Sequence, residues 1–267
     1  MKIKKITVDL YKCVKNVFYI KNVFTASNSS DPVWRKNFGE FETLANTVPK
    51  FTKTVFNLLT GELSKNNELI LKDVDGDEHW FYINGIMTSK EVAAYNELAL
   101  ENIFGKEFHT LYNPTNGFAA DMLEVFYERT LDNIAPITRQ LFDIIDELIY
   151  NDKKVRIISY SQGGIITNNF LKMIAKHSKC GKKYSNLEIY TFGGAADEEV
   201  LVKGVYQEHF GNEKDFVARI GLMFENTQSK YYTLNNAVGH LLNQDYLEHF
   251  KAGRYCNGKS KLFSYTQ

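Results

Sequence analysis

The residues Ser159-Tyr160-Ser161-Gln162-Gly163-Gly164 combine a hydroxyl with the small neighbours that a crowded turn requires. The apolar, β-branched run 155–158 precedes them, as expected of a strand buried on both faces. Behind them Ile166, Phe170, Met173, Ile174 and His177 recur at helical spacing. A strand, a sharp turn centred on a serine and a helix together form a nucleophile elbow. The helix N-terminus then aims backbone N–H groups and its positive dipole end at the Ser161 oxygen. Gly163 lets the helix approach the strand, and Gly164 adds room behind it. The usual pattern is G-x-S-x-G, whereas this chain reads S-x-S-x-G, with Ser159 first. A strand–helix turn that happens to contain a serine reads the same locally, so the rest of the chain must supply the other groups.

A serine hydroxyl attacks a carbonyl only when a base removes its proton. Histidine has the pKa for that near neutrality. A carboxylate must hold the imidazole in the right tautomer and stabilise the cation that forms. Of the six histidines, His240 follows a glycine and comes late in the chain, after the acidic loop Gly211-Asn-Glu-Lys-Asp215. His209 sits inside an apolar strand and reads as structural; His79, His109, His177 and His249 are not placed to serve the elbow. Asp215 is the expected acid, with Glu213 in reserve. Asp197 is expected instead to support the N-terminus of a short helix over 197–202. Asp215 is expected to lie in a loop with no cap pattern after it.

The remaining pattern says what positions these groups. Residues 1–24 hold two alternating apolar runs that suit strands. Apolar residues at every third or fourth position predict helix over 34–59, interrupted near Pro49. This helical stretch reads as decoration outside the core sheet, with a partner-binding helix as the rival reading, and residues 1–78 together form an N-terminal β/helical extension. Strands are expected at 68–71, 79–83, 108–112, 187–192 and 205–210, and helices at 89–104, from 119 to 150 with Pro136 opening the second, and from 239 onward. Residues 216–234 are aromatic and poorly periodic. Alternation of strands and helices from residue 79 implies an α/β fold: one domain over 1–267, with a mostly parallel sheet covered on both faces. Asp73-Val-Asp-Gly-Asp-Glu78 resembles the start of a calcium loop, but its glycine comes one position early and no liganding Glu follows at the required distance, so a hairpin turn is expected.

In its order of elements the chain resembles the α/β-hydrolase superfamily over residues 79–250. The strand leading into Asn84-Gly85, the Ser161 elbow, the Asp215 loop and Gly239-His240 carry the resemblance. The order serine, acid, histidine is the one that fold uses. The strand end Phe192-Gly-Gly and the loop around Asp215-Phe-Val-Ala-Arg219 look most like lipases. The resemblance implies an oxyanion hole made by the backbone N–H of Gln162 and by one at Ile86 or Met87. Where relatives often carry His-Gly, this chain has Asn84-Gly85.

The expected activity is a serine hydrolase cleaving carboxylic esters through an acyl-enzyme. An acyltransferase or thioesterase uses the same intermediate, and a binding protein on a hydrolase fold is the non-enzymatic alternative. No cofactor or metal is required. The apolar residues Met87, Leu98, Leu100, Leu222, Met223, Phe224, Tyr231 and Tyr232 suggest an apolar pocket or a mobile cover, hence a small-molecule or lipid ester. Lys+Arg and Asp+Glu both number 32, which argues against nucleic acid as the main partner while leaving room for a local basic patch. Cys13, Cys180 and Cys256 are far apart, so free thiols are expected. The N-terminal residues lack a signal-peptide h-region and no apolar run is long enough to cross a membrane, so a cytoplasmic protein with at most transient membrane-surface contact is expected.

Overall fold

The computed structural model describes residues 2–21, 68–72, 76–85, 88, 90–113, 136–177 and 181–267. The predicted helix over 34–59, part of the acidic turn at 73–75, the helical stretch 119–135, and Ile86 and Met87 lie outside them. The chain is α/β, built on a seven-stranded, mostly parallel sheet. The strands are β1 (Glu68–Ile70), β2 (Glu78–Ile83), β3 (Phe108–Tyr112), β4 (Lys154–Tyr160), β5 (Leu187–Phe192), β6 (Tyr206–Asn212) and β7 (Lys230–Leu234). Their spatial order is β1-β3-β2-β4-β5-β6-β7. Among the described strands, only β1, at one edge, runs antiparallel to its neighbour.

Every residue of β3 and β5 is buried, as the continuous apolar runs require of strands covered on both faces. On one face, α2 (Lys90–Phe104) contributes Leu100, Ile103 and Phe104 to a cluster with Trp80, Tyr82, Tyr190, Phe192 and Phe210. On the other, α3 (Pro136–Tyr150) and α4 (Gly163–His177) pack Ile137, Leu141, Ile145, Ile166 and Phe170 against Phe81, Ile157 and Ile189. Pro136 opens α3 as predicted; its missing N–H costs nothing at a first helical turn.

Two expectations fail. Residues 2–16 form a helix, α1 (Lys2–Asn16), and 17–21 continue as a 3-10 turn, so among the described residues neither N-terminal run forms a strand. Alternating Ile6, Val8 and Leu10 suggested a strand, but Leu10, Val14 and Phe18 repeat at the four-residue interval of a helical stripe. Nor does 197–202 form a helix. Glu199 instead accepts hydrogen bonds from Gln228 N at 2.6 Å and Ser229 N at 2.9 Å, and Gln207 Nε2 donates to Val200 O at 2.9 Å. These tertiary bonds hold the segment open against its local preference.

The sheet orients the candidate residues. In a parallel sheet the strands share one direction, so the loops that leave their C-terminal ends gather at one edge. Ser161 follows β4 there and Asp215 follows β6. Short α5 (Phe216–Ile220) comes directly after Asp215. Beyond β7 the chain reaches His240, then a π-helical turn Leu242–Leu247 that runs into α6 (Glu248–Lys251). Among the described residues no helix is long and apolar enough to cross a membrane.

Candidate active site

Ser161 has φ 57°, a left-handed conformation that a non-glycine residue adopts only under constraint, at a cost of about 1–3 kcal/mol. The constraint is visible. Ser161 N donates to Phe192 O at 3.1 Å, and Ser161 O accepts from Gly164 N and Ala195 N, both at 3.0 Å. The turn is therefore fastened to the end of β5 on both sides of the serine. A Cβ on Gly163 would come within 2.5 Å of Ile83 O, and one on Gly85 within 2.5 Å of Ser161 Cβ. Both glycines are needed for the close approach of neighbouring segments. Ser159 needs no such freedom. It is a paired residue of β4, opposite Ile83 on one side and Thr191 on the other, and its hydroxyl lies 3.1 Å from Thr191 Oγ1. The departure from the usual elbow pattern falls in the strand and not in the turn.

His240 Nε2 lies 2.9 Å from Ser161 Oγ, and His240 Nδ1 lies 2.7 Å from Asp215 Oδ2. All three residues are buried. An ionised Asp215 accepts only, so the imidazole proton sits on Nδ1 and leaves Nε2 to accept from the serine hydroxyl. The sequence expectation of a free loop after Asp215 is corrected: Asp215 is the N-cap of α5, and its Oδ1 accepts from Val217 N at 2.9 Å. One carboxylate thus caps a helix with one oxygen and meets the imidazole with the other.

Four residues to which sequence reasoning gave no role at the site complete the arrangement. The Tyr246 hydroxyl donates to Asp215 Oδ2 at 2.5 Å. Burial, reinforced by the Asp215 charge, holds that hydroxyl well above its ordinary titration range, so it stays a donor. Gly193, with φ 55°, leaves the room: a Cβ there would stand 2.8 Å from the Tyr246 oxygen and 3.0 Å from Asp215 Oδ2. Tyr160 donates to the backbone carbonyl of His240 at 2.5 Å, and its ring stacks on the imidazole with centroids 5.0 Å apart. Asn212, at the end of β6, ties the histidine loop down. Its Nδ2 donates to Gly239 O at 3.2 Å and Asp245 O at 2.8 Å, and its Oδ1 accepts from Tyr255 at 2.5 Å. Tyr160, Gly193 and Asn212 stand in the stretches read as the elbow, the strand end and the acidic loop, but nothing in their types marked these ties.

Gln162 sits at the start of α4, with its carbonyl accepting from Ile165 N at 2.8 Å, so its own N–H belongs to the helix N-terminus beside Ser161. Its side chain accepts from Asn113 Nδ2 at 2.7 Å. Asn84 now has a part to play. It donates to Gly85 O at 2.8 Å and to Asn113 O at 2.9 Å, and accepts from Asn113 N at 2.7 Å. It clamps the ends of β2 and β3 together just before the segment expected to supply the second oxyanion donor.

The other candidates are elsewhere. Glu213 accepts from Asn236 N at 2.6 Å through its carboxylate, and it is Asp215 that meets His240. His209 is buried on β6, and burial pushes its pKa down to about 4. Asp77, in the acidic turn, pairs with Lys153 at 2.9 Å. Leu100, Leu222 and Met223 are buried, whereas Leu98 and Phe224 are exposed. Comparisons of this sequence with protein-family models and with curated proteins return no match.

Proposed function

We propose that this chain is a serine hydrolase of the α/β-hydrolase type, cleaving carboxylic esters. The observation that carries the reading is the unbroken hydrogen-bond chain Ser161–His240–Asp215, with the serine held at positive φ at the C-terminal edge of a parallel sheet. In the proposed reaction Ser161 Oγ adds to the ester carbonyl carbon while His240 Nε2 takes the hydroxyl proton. Asp215 stabilises the imidazolium. The negative charge on the former carbonyl oxygen is met by the Gln162 N–H and a second backbone donor at Ile86 or Met87. When the tetrahedral adduct collapses, the bond to the alcohol oxygen breaks and His240 returns the proton to it. Water, deprotonated by the same imidazole, then releases the acid from the acyl-enzyme. Burial of all three groups strengthens each electrostatic contact.

The test is labelling with a fluorophosphonate, followed by turnover of an ester panel graded in acyl length. An adduct on Ser161 by mass spectrometry, and none in Ser161→Ala, is the expected result. An adduct on Ser159, or none anywhere with the protein folded, would overturn the reading.

A further inference from the structure

Helix α1 is amphipathic with its faces reversed. Its buried side is polar: Asp9 and Asn16 are buried, and Asn16 Oδ1 accepts from Arg219 Nε of α5 at 2.7 Å. Lys12 meets Glu225 at 2.5 Å. Its outward side is apolar. Leu10, Tyr11, Val14 and Phe18 share one helical face, with Val14 65% and Phe18 81% exposed. A helix that packs its polar side on the body and turns large apolar side chains outward keeps them for something else.

What covers them is indicated by charge and shape. Residues 2–21 hold six lysines and one acid, Asp9, in a chain whose formal net charge is zero. Beside the apolar face runs a groove of about 340 Å³ between α1 and the end of α5. Lys12, Lys15 and Arg219 line it with the rings of Tyr11 and Phe224 and with Glu225, whose carboxylate Lys12 already meets, so that Lys15 is the exposed cation of the groove. The Arg219 guanidinium lies 4.7 Å from the Phe224 ring centre, and Phe224 is itself exposed. Apolar side chains projecting from a convex helix, flanked by cations, suit a surface that is oily within and negative at its boundary. A second copy of the chain fits poorly, because a two-fold contact through this patch would set the same lysines against each other.

We propose that α1 and the adjoining groove dock this protein on anionic lipid bilayers, with Leu10, Tyr11, Val14 and Phe18 entering the interface and Lys15 facing the headgroups. α1 packs on α5, the short helix that Asp215 caps, and this contact links the docking helix to the candidate site. The docking stands on α1 itself; only its use in delivering lipid esters rests on the hydrolase reading.

The experiment is flotation of the full-length protein with vesicles of ether-linked phosphatidylcholine, with and without ether-linked phosphatidylglycerol. Such lipids carry no ester to cleave, so binding is read apart from hydrolysis, and fluorophosphonate labelling in solution tests the hydrolase separately. The wild type is expected to float with the anionic vesicles and to release as salt rises. Val14→Asp and Phe18→Asp, at exposed positions, should weaken partition about tenfold or more. Lys15→Glu should weaken it about fivefold or more on anionic vesicles alone. Leu201→Asp, at an exposed apolar position outside α1 and its groove, should bind as the wild type does. No flotation of the wild type, equal flotation of the folded Val14→Asp and Phe18→Asp proteins, or a dimer in sedimentation that those changes dissolve would each overturn the proposal.

Discussion

Two buried histidine systems lie at opposite ends of the same sheet, and their hydrogen-bond partners differ. At the C-terminal edge, His240 sits between the Ser161 hydroxyl and the Asp215 carboxylate. Near the starts of β2 and β3, His79 and His109 face each other, with His79 Nδ1 3.2 Å from His109 Nε2. The bonds at the two ends of that pair settle its protons. Lys72 N donates to His109 Nδ1 at 3.1 Å, so His109 carries its proton on Nε2 and gives that bond to His79 Nδ1. His79 Nε2, at 3.0 Å, donates to Gly76 O. Every ring nitrogen is used, and each ring is neutral. Another proton would face a donor already in place. Burial, then His79 and Lys72 nearby, press the His109 pKa down to about 4. On the proposed reading, the carboxylate on its far nitrogen, and not burial, is what separates His240 from this pair.

The comparison breaks most decisively at the C-terminal edge. Ser161→Ala should lower kcat by about 10⁶, with labelling lost. Asp215→Asn should lower it by about 10⁴, because the amide cannot hold the productive tautomer. Asp197→Asn should turn over almost normally; collapse there, with Asp215→Asn active, would mean the wrong acid has been chosen. A smaller loss is expected from Tyr246→Phe, which removes one donor to a charged group. Its kcat/KM should drop about tenfold to a hundredfold while Ser161 still labels; unchanged kinetics would make Tyr246 a packing residue only.

The histidine pair sharpens the contrast through pH. A histidine whose folded pKa is depressed from 6.5 to about 4 adds stability that is complete above 6.5 and lost as pH falls toward 4. His209, also held near 4, contributes with the same sign. Urea midpoints should therefore fall between pH 7 and 4.5, and His109→Gln should flatten that slope in part while leaving activity at pH 7 intact. A midpoint slope unchanged by His109→Gln would remove the pair from this account. The smallest effect is expected from Ser159→Gly, which restores the usual elbow spelling. It gives up the contact with Thr191 and adds backbone freedom, costing about 1–2 kcal/mol in thermal or urea stability. Labelling should persist; its loss would mean that Ser159 does more than brace the strand.

What the sequence disclosed follows the range of the forces involved. The elbow is local: an apolar strand, a turn of small residues and a periodic helix occupy adjacent positions, so Ser161 was legible. Strands β2, β3, β5 and β6 were legible for the same reason, each being a short run buried on both faces. The ties of Asn212 to Gly239 and Asp245, and of Tyr246 to Asp215, cross 27 to 33 residues and leave no periodic mark. The helix expected over 197–202 failed for a related reason, since Glu199 is claimed by residues 228 and 229. In α1 the window was too short: three alternating residues looked like a strand until the four-residue repeat through Phe18 is counted.

The double employment of Asp215 narrows what chemistry can occupy that position. Capping α5 is satisfied by a small set of side chains, chiefly Asp, Asn, Ser and Thr. In the proposed mechanism, orienting an imidazole that becomes a cation calls for Asp or Glu. The two sets share one member. A glutamate carries the charge but is not among the good caps, and an asparagine keeps the cap but drops the charge. Substitution by drift is thus blocked on two independent grounds, and any replacement of this aspartate would have to be accompanied by a second change that rebuilds whichever duty it abandons.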